Sequence, residues 1–80
     1  MTREEILGEV TAVFREVLGD ESLLLSERTT AGDVAEWDSL THIQLVVAVE
    51  RRFRIRFSSR EIQGWKDVGE MLDSIIAKVN

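Results

Sequence analysis

Three separate apolar stripes, each with spacings of three and four residues, run through this chain of 80 residues. That period predicts helices rather than strands. The first stripe joins Ile6, Val10, Val13, Phe14 and Val17. Thr2-Arg3-Glu4-Glu5 ahead of it has the form of a capping box, with Thr2 as N-cap and Glu5 three residues on. Gly19 after Leu18 suits a left-handed C-terminal cap. The middle helix is expected to start at Asp38 or Ser39 and to run to about Phe53. Its apolar face would comprise Leu40, Ile43, Val46, Val47 and Phe53, together with Glu50. The run Leu45 to Val49 widens that face, as befits a helix buried between two others. The last stripe, Val68, Met71, Leu72, Ile75, Ile76 and Val79, lies on one face. Asp67 can cap its first turn, with Glu70 three residues later.

Two segments lack a helical period. Residues 19–37 form a connection longer than compact domains ordinarily use unless it has a function. Leu23, Leu24 and Leu25 within it are expected to pin it to the core. Phe53-Arg54-Ile55-Arg56-Phe57 alternates apolar and polar residues but has no partner strand, so it reads as an extended link with its apolar members turned inward. A short helix at Ser59–Gln63 would follow, with Trp65 as its anchor. Eighty residues with 44% apolar side chains supply one domain, 1–80, and a small core, with no room for an elaborate catalytic cleft.

Composition excludes several kinds of chemistry. There is no cysteine, hence no disulfide, thiolate metal site or cysteine nucleophile. The single histidine, His42, has no ligand-spaced partners, so no metal site is expected. It is read as an exposed helix residue. The longest wholly apolar run, Leu45 to Val49, falls far short of the roughly 20 residues that span a bilayer. The amino terminus has no signal peptide, and a cytoplasmic, monomeric protein is expected. Charge is unevenly spread. Residues 1–50 hold three basic and eleven acidic side chains, whereas residues 51–60 hold five arginines and no acid. The overall charge of −5 argues against general nucleic-acid binding. The cluster Arg51, Arg52, Arg54, Arg56 and Arg60 has three readings: a solvated surface, which is the default, a patch for an acidic partner, or a nucleic-acid contact. The last lacks the aromatic interleaving or recognition-helix pattern to support it.

Asp38-Ser39-Leu40 stands where the long connection meets the middle helix. The first amides of a helix lack internal acceptors, and the helix dipole makes that end positive. A phosphate on Ser39 would therefore meet free donors and a favourable field. Asp38 would cap the helix and could help position a metal-bound phosphate donor. Leu40 would anchor the helix start to the core, leaving the hydroxyl outward. The tripeptide by itself is also simply a good helix start.

The longer stretch Glu36-Trp37-Asp38-Ser39-Leu40-Thr41-His42-Ile43-Gln44-Leu45-Val46-Val47-Ala48-Val49-Glu50-Arg51-Arg52-Phe53 resembles the signature helix of the acyl carrier protein family. Leu18-Gly19, Leu25 and Val68 to Ile76 fall at the family's spacing on either side. The resemblance implies an all-α, up-and-down four-helix bundle, with three main helices and a short third one. It implies a non-catalytic carrier whose Ser39, flanked by Asp38 and Leu40, bears a covalent 4′-phosphopantetheine arm. A phosphopantetheinyl transferase would attach the arm from coenzyme A with Mg²⁺. An acyl- or aminoacyl-loading ligase or transferase would charge it, and a downstream synthase or transferase would discharge it.

Where carriers of fatty acid synthesis have an acid-studded middle helix, this chain has Thr41, His42, Gln44, Arg51 and Arg52, which are read as partner-docking residues. The Glu-Trp-Asp-Ser-Leu-Thr-His wording looks more like stand-alone carriers of specialised pathways, such as polyketide or nonribosomal peptide biosynthesis. A carrier of fatty acid synthesis and an unmodified helical interaction domain are the alternatives.

Overall fold

The computed structural model describes residues 1–79. Helix α1 spans Arg3–Leu18, α2 Ser39–Phe53, α3 Ser59–Gly64 and α4 Val68–Val79, with a single 3-10 turn at Ala31–Asp33 in the long connection. No strand occurs among the described residues. The expected helical bundle is therefore what forms.

The helix ends follow from local chemistry. Thr2 accepts from the Glu5 N–H and Glu5 accepts from the Thr2 N–H, completing the predicted box. Gly19 closes α1 at φ 68°, where its N–H bonds the Arg15 carbonyl. Ser58 and Glu61 form the same reciprocal pair ahead of α3. Asp67 accepts from the Glu70 N–H at 2.9 Å at the start of α4.

The core is drawn from α1, α2, α4 and the long connection. Ile6, Val10, Val13 and Phe14 of α1 meet Leu45 and Val49 of α2 and Val68, Met71, Leu72 and Ile75 of α4. Val34 and Trp37 close it from the long connection. The stripes read for α1 and α4 are thus the buried faces. The face expected of α2 is buried only in part, at Val46 and Phe53. Leu45, Val46 and Val49 turn inward, while Leu40, Ile43 and Val47 are 70%, 55% and 41% exposed. The α2 sequence holds two overlapping apolar stripes. Packing against α1 selects the one whose members at 45 and 49 lie one turn apart on a single face.

Backbone bonds hold the long connection to α4. The Val68 N–H donates to the Thr29 carbonyl at 2.9 Å and the Gly69 N–H to the Glu27 carbonyl at 2.8 Å. A Cβ at residue 69 would stand 2.9 Å from that Glu27 oxygen, so the approach requires glycine. Arg3 reinforces the closure, reaching Glu27 at 2.7 Å, Asp73 at 2.8 Å and the Gly69 carbonyl at 3.1 Å. Its pKa is raised, first by the hydrogen bond to Glu27 and then by Asp73. Leu23 and Leu25 are half-buried as expected, but Leu24 is 79% exposed. Three consecutive side chains of an extended segment cannot all face one core.

The link expected to be extended from Phe53 is shorter, because Phe53 still belongs to α2 and only residues 55–58 lie outside helix and turn. Phe53, Ile55 and Phe57 do pack against the core, with the arginines between them exposed. Arg54 takes the left-handed conformation at φ 57° to end α2.

Candidate functional site

Helix α2 begins at Ser39 because Asp38 provides its cap. The Asp38 backbone is extended, and its Oδ1 accepts the Leu40 and Thr41 N–H groups at 3.0 and 2.9 Å. The Asp38 N–H returns a bond to Thr41 Oγ1 at 2.8 Å, and that hydroxyl donates to the Glu36 carbonyl at 2.7 Å. These bonds favour the charged carboxylate and hold its pKa below the usual range, the Thr41 N–H being the largest cause. Ser39 occupies the first helical position and is exposed.

This arrangement corrects one expectation. Most first-turn amides are not free: Asp38 Oδ1 takes those of Leu40 and Thr41, and the His42 N–H goes to the Asp38 carbonyl at 2.8 Å. That leaves the Ser39 N–H without an acceptor among the described residues. The helix dipole remains as a favourable field for a phosphate at Ser39. Asp38 Oδ2 has no protein donor among the described residues. Leu40 is also corrected. It lies on the surface beside Ser39, and Trp37 holds the helix start to the core instead, 8% exposed and edge-on to Phe14 at 4.9 Å.

His42 is half-buried rather than an exposed helix residue. The indole N–H of Trp37 can only donate, so His42 Nδ1 is the unprotonated acceptor of their 3.0 Å bond. The ring proton therefore sits on Nε2, which donates to the Ile62 carbonyl of α3 at 3.3 Å. Trp65 stands edge-on to His42, with ring centroids 6.1 Å apart, and its own N–H donates to Ser74 Oγ at 2.9 Å. Trp65 also meets Phe57 edge-on at 4.8 Å. The anchor expected of Trp65 thus joins α3 to α4.

Trp37, His42 and Trp65 line a pocket of about 470 Å³ between α2 and α3, with Ile43 and Ile62 among its other walls. A smaller pocket of about 310 Å³ shares Trp37 and His42 and includes Asp38 and Ser39. An apolar surface thus leads from the serine hydroxyl to the groove between the helices. Trp37 both packs against the core and lines the pocket.

Of the other side chains singled out for docking, Thr41 uses its hydroxyl internally and Arg52 pairs with Glu9 of α1. Gln44 and Arg51 are exposed. Sequence reasoning missed Val34, a lone apolar residue with no period to reveal it. No cluster of three metal-ligating side chains occurs among the described residues, and no helix there is long and apolar enough to cross a membrane.

Comparison with known proteins supports the same reading. Residues 8–75 match the family model described as "Phosphopantetheine attachment site". The chain is 35% identical to an acyl carrier protein of Cyanidium caldarium, covering 100% of this chain and 93% of that one. It is 31% identical to one from Acidothermus cellulolyticus, covering 94% and 89%. A meromycolate extension acyl carrier protein of Mycobacterium leprae is 24% identical, covering 94% of this chain and 65% of that protein. Among solved structures, the holo acyl carrier protein of Geobacter metallireducens superposes with a TM-score of 0.87 at 38% identity, over 92% of this chain and 85% of that one. The exposed serine at a helix start, the bundle around it and these matches agree. The chain belongs to the acyl carrier protein family, phosphopantetheine-bearing carriers that are not themselves enzymes.

Proposed function

We propose that Ser39 is the residue that bears the 4′-phosphopantetheine arm and that the chain delivers thioester-linked groups in a specialised biosynthetic pathway. One observation carries the attachment: the Ser39 hydroxyl is exposed at the first position of α2, at the mouth of an apolar surface. The residues fit the group. The hydroxyl is accessible to a phosphopantetheinyl transferase, the helix dipole favours a phosphodiester there, and Asp38 Oδ2 is available to a metal accompanying the phosphate donor. The arm supplies the terminal thiol on which thioesters form, and the chain has no cysteine to compete with it. Trp37 and His42 hold the serine's surroundings in place through bonds to each other and to α3.

The specialised pathway is supported by the outward side of α2. Thr41 and Gln44 follow the serine, and the helix ends in Arg51 and Arg52. Partners with basic docking surfaces would gain little attraction there. The loading enzyme would be an acyl- or aminoacyl-transferring ligase or transferase, followed by a synthase or transferase that takes the group on.

Intact mass spectrometry tests the attachment. Incubation with coenzyme A and a broad-specificity phosphopantetheinyl transferase should add one arm to the wild type and none to Ser39→Ala. Modification of Ser39→Ala, or none of the wild type across several transferases, would refute the assignment.

A further inference from the structure

We infer that the basic groove at the C-terminal end of α2, lined by Arg51, Arg54 and Arg56, receives an acidic protein surface belonging to the enzymes that load and unload the carrier. The inference rests on the carrier reading and names the chemistry of its partners.

Arg51, Arg54 and Arg56 line a groove of about 580 Å³ together with Val47, Glu50 and Ile55. All three arginines are exposed, and none has a salt-bridge partner among the described residues. Arg52 differs, being turned back onto Glu9. Glu50 keeps its charge in the groove while its Oε2 accepts the Phe57 N–H at 2.9 Å, so three guanidinium groups stand against one carboxylate there. Three guanidinium groups are therefore presented outward on a chain whose remaining segments are net acidic.

Arg54 ends α2 in the left-handed region at φ 57°, where glycine would be less strained, and its exposed side chain stands beside Arg51 and Arg56 in the groove.

The groove also continues a face that leads to Ser39. At 100° per residue, Leu40, Ile43, Val47 and Arg51 fall within one narrow sector of α2. The first three are exposed apolar side chains. A partner gripping this face would meet apolar surface beside the serine and positive charge about 18 Å further along, at 1.5 Å per residue. Its complement is a protein surface with an apolar centre and acidic side chains about that far from its active-site mouth. An extended polyanion fits less well, because the acidic segments on either side of residues 51–60 would repel it.

The test uses the holo protein and amide chemical-shift mapping with defined probes. One is an 18-residue amphipathic helical peptide with a leucine face ending in four glutamates. The second replaces those glutamates with lysines. Phosphatidylserine vesicles and a duplex oligonucleotide complete the set. The glutamate peptide should shift amides of residues 40–56 and bind at least tenfold more tightly than the lysine peptide. Arg51→Glu with Arg56→Glu should weaken it about tenfold, given the modest worth of each exposed pair, and added salt should weaken it further. Arg54→Gly should also weaken binding while leaving the melting temperature unchanged or higher, which a purely structural role would not produce. Equal or tighter binding of the lysine peptide would overturn the inference. So would the absence of peptide binding at millimolar concentration, or tighter binding of vesicles or oligonucleotide at these arginines. Mass spectrometry on the same samples keeps the two readings apart: failure of the wild type to accept the arm would sink the carrier reading whatever the peptides do.

Discussion

Trp37 donates its indole N–H to Nδ1 of His42 at 3.0 Å, and the opposite nitrogen of that imidazole donates to the Ile62 carbonyl of α3. One side chain thus links the segment before Ser39 to the helix across the groove. Replacing Trp37 by Phe keeps an aromatic ring against Phe14 but removes the donor. Chemical denaturation should show a loss of about 1 kcal/mol, the typical net worth of such a bond, with some further cost from lost ring area. His42→Ala should instead raise hydrogen exchange along α3, because the bridge to Ile62 goes with it.

Four carboxylates have pKa values below the ordinary range. For Asp38 the main cause is the Thr41 N–H, for Glu5 the Thr2 N–H, for Glu61 the Ser58 N–H followed by Lys78, and for Glu27 the hydrogen bond from Arg3. A folded-state pKa below the unfolded one contributes stability above the ordinary range, near about 4, and loses it as pH falls through the folded value. Urea midpoints should therefore decline between pH 5 and pH 3. Asp38→Asn, which keeps an oxygen acceptor for the Leu40 and Thr41 amides but cannot titrate, should make that decline shallower.

Gly69→Ala would bring a methyl group to 2.9 Å from the Glu27 carbonyl. Backbone is the obstacle, so the strap between the long connection and α4 must shift. A destabilisation of about 1–3 kcal/mol is expected, as for other overpacked sites. Amide exchange should rise at Val68 and Gly69, whose N–H groups bond Thr29 and Glu27.

Leu40→Ala separates an anchor from a surface residue. With 70% of Leu40 exposed, thermal unfolding should move by less than about 0.5 kcal/mol. Phe14→Ala, at a residue with no exposure, should cost about 3–5 kcal/mol.

What could be read from the sequence depended on whether the signal was periodic. The α1 and α4 stripes are unambiguous, and their caps at Thr2, Glu5, Gly19 and Asp67 are local devices written in adjacent residues, so both helices were legible. Within α2, apolar residues occupy two adjoining faces. The sequence shows both, but only packing against α1 decides that Leu45 and Val49 go inward and Leu40, Ile43 and Val47 outward. The long connection was legible as a connection but not as a strap, because its closure depends on backbone groups of Glu27 and Thr29 meeting α4 some forty residues later. At the site, Ser39 and its cap were evident. The sharing of the first-turn amides with Asp38, and the tautomer of His42, required coordinates.

The chain has two tryptophans and no tyrosine, and both tryptophans line the pocket between α2 and α3. The tryptophan emission of the native protein therefore arises wholly from this pocket, beside an imidazole that contacts one indole and faces the other. A group that settles into this groove, or a partner that covers it, changes the surroundings of both tryptophans. Without any label, the protein is its own optical probe of this groove.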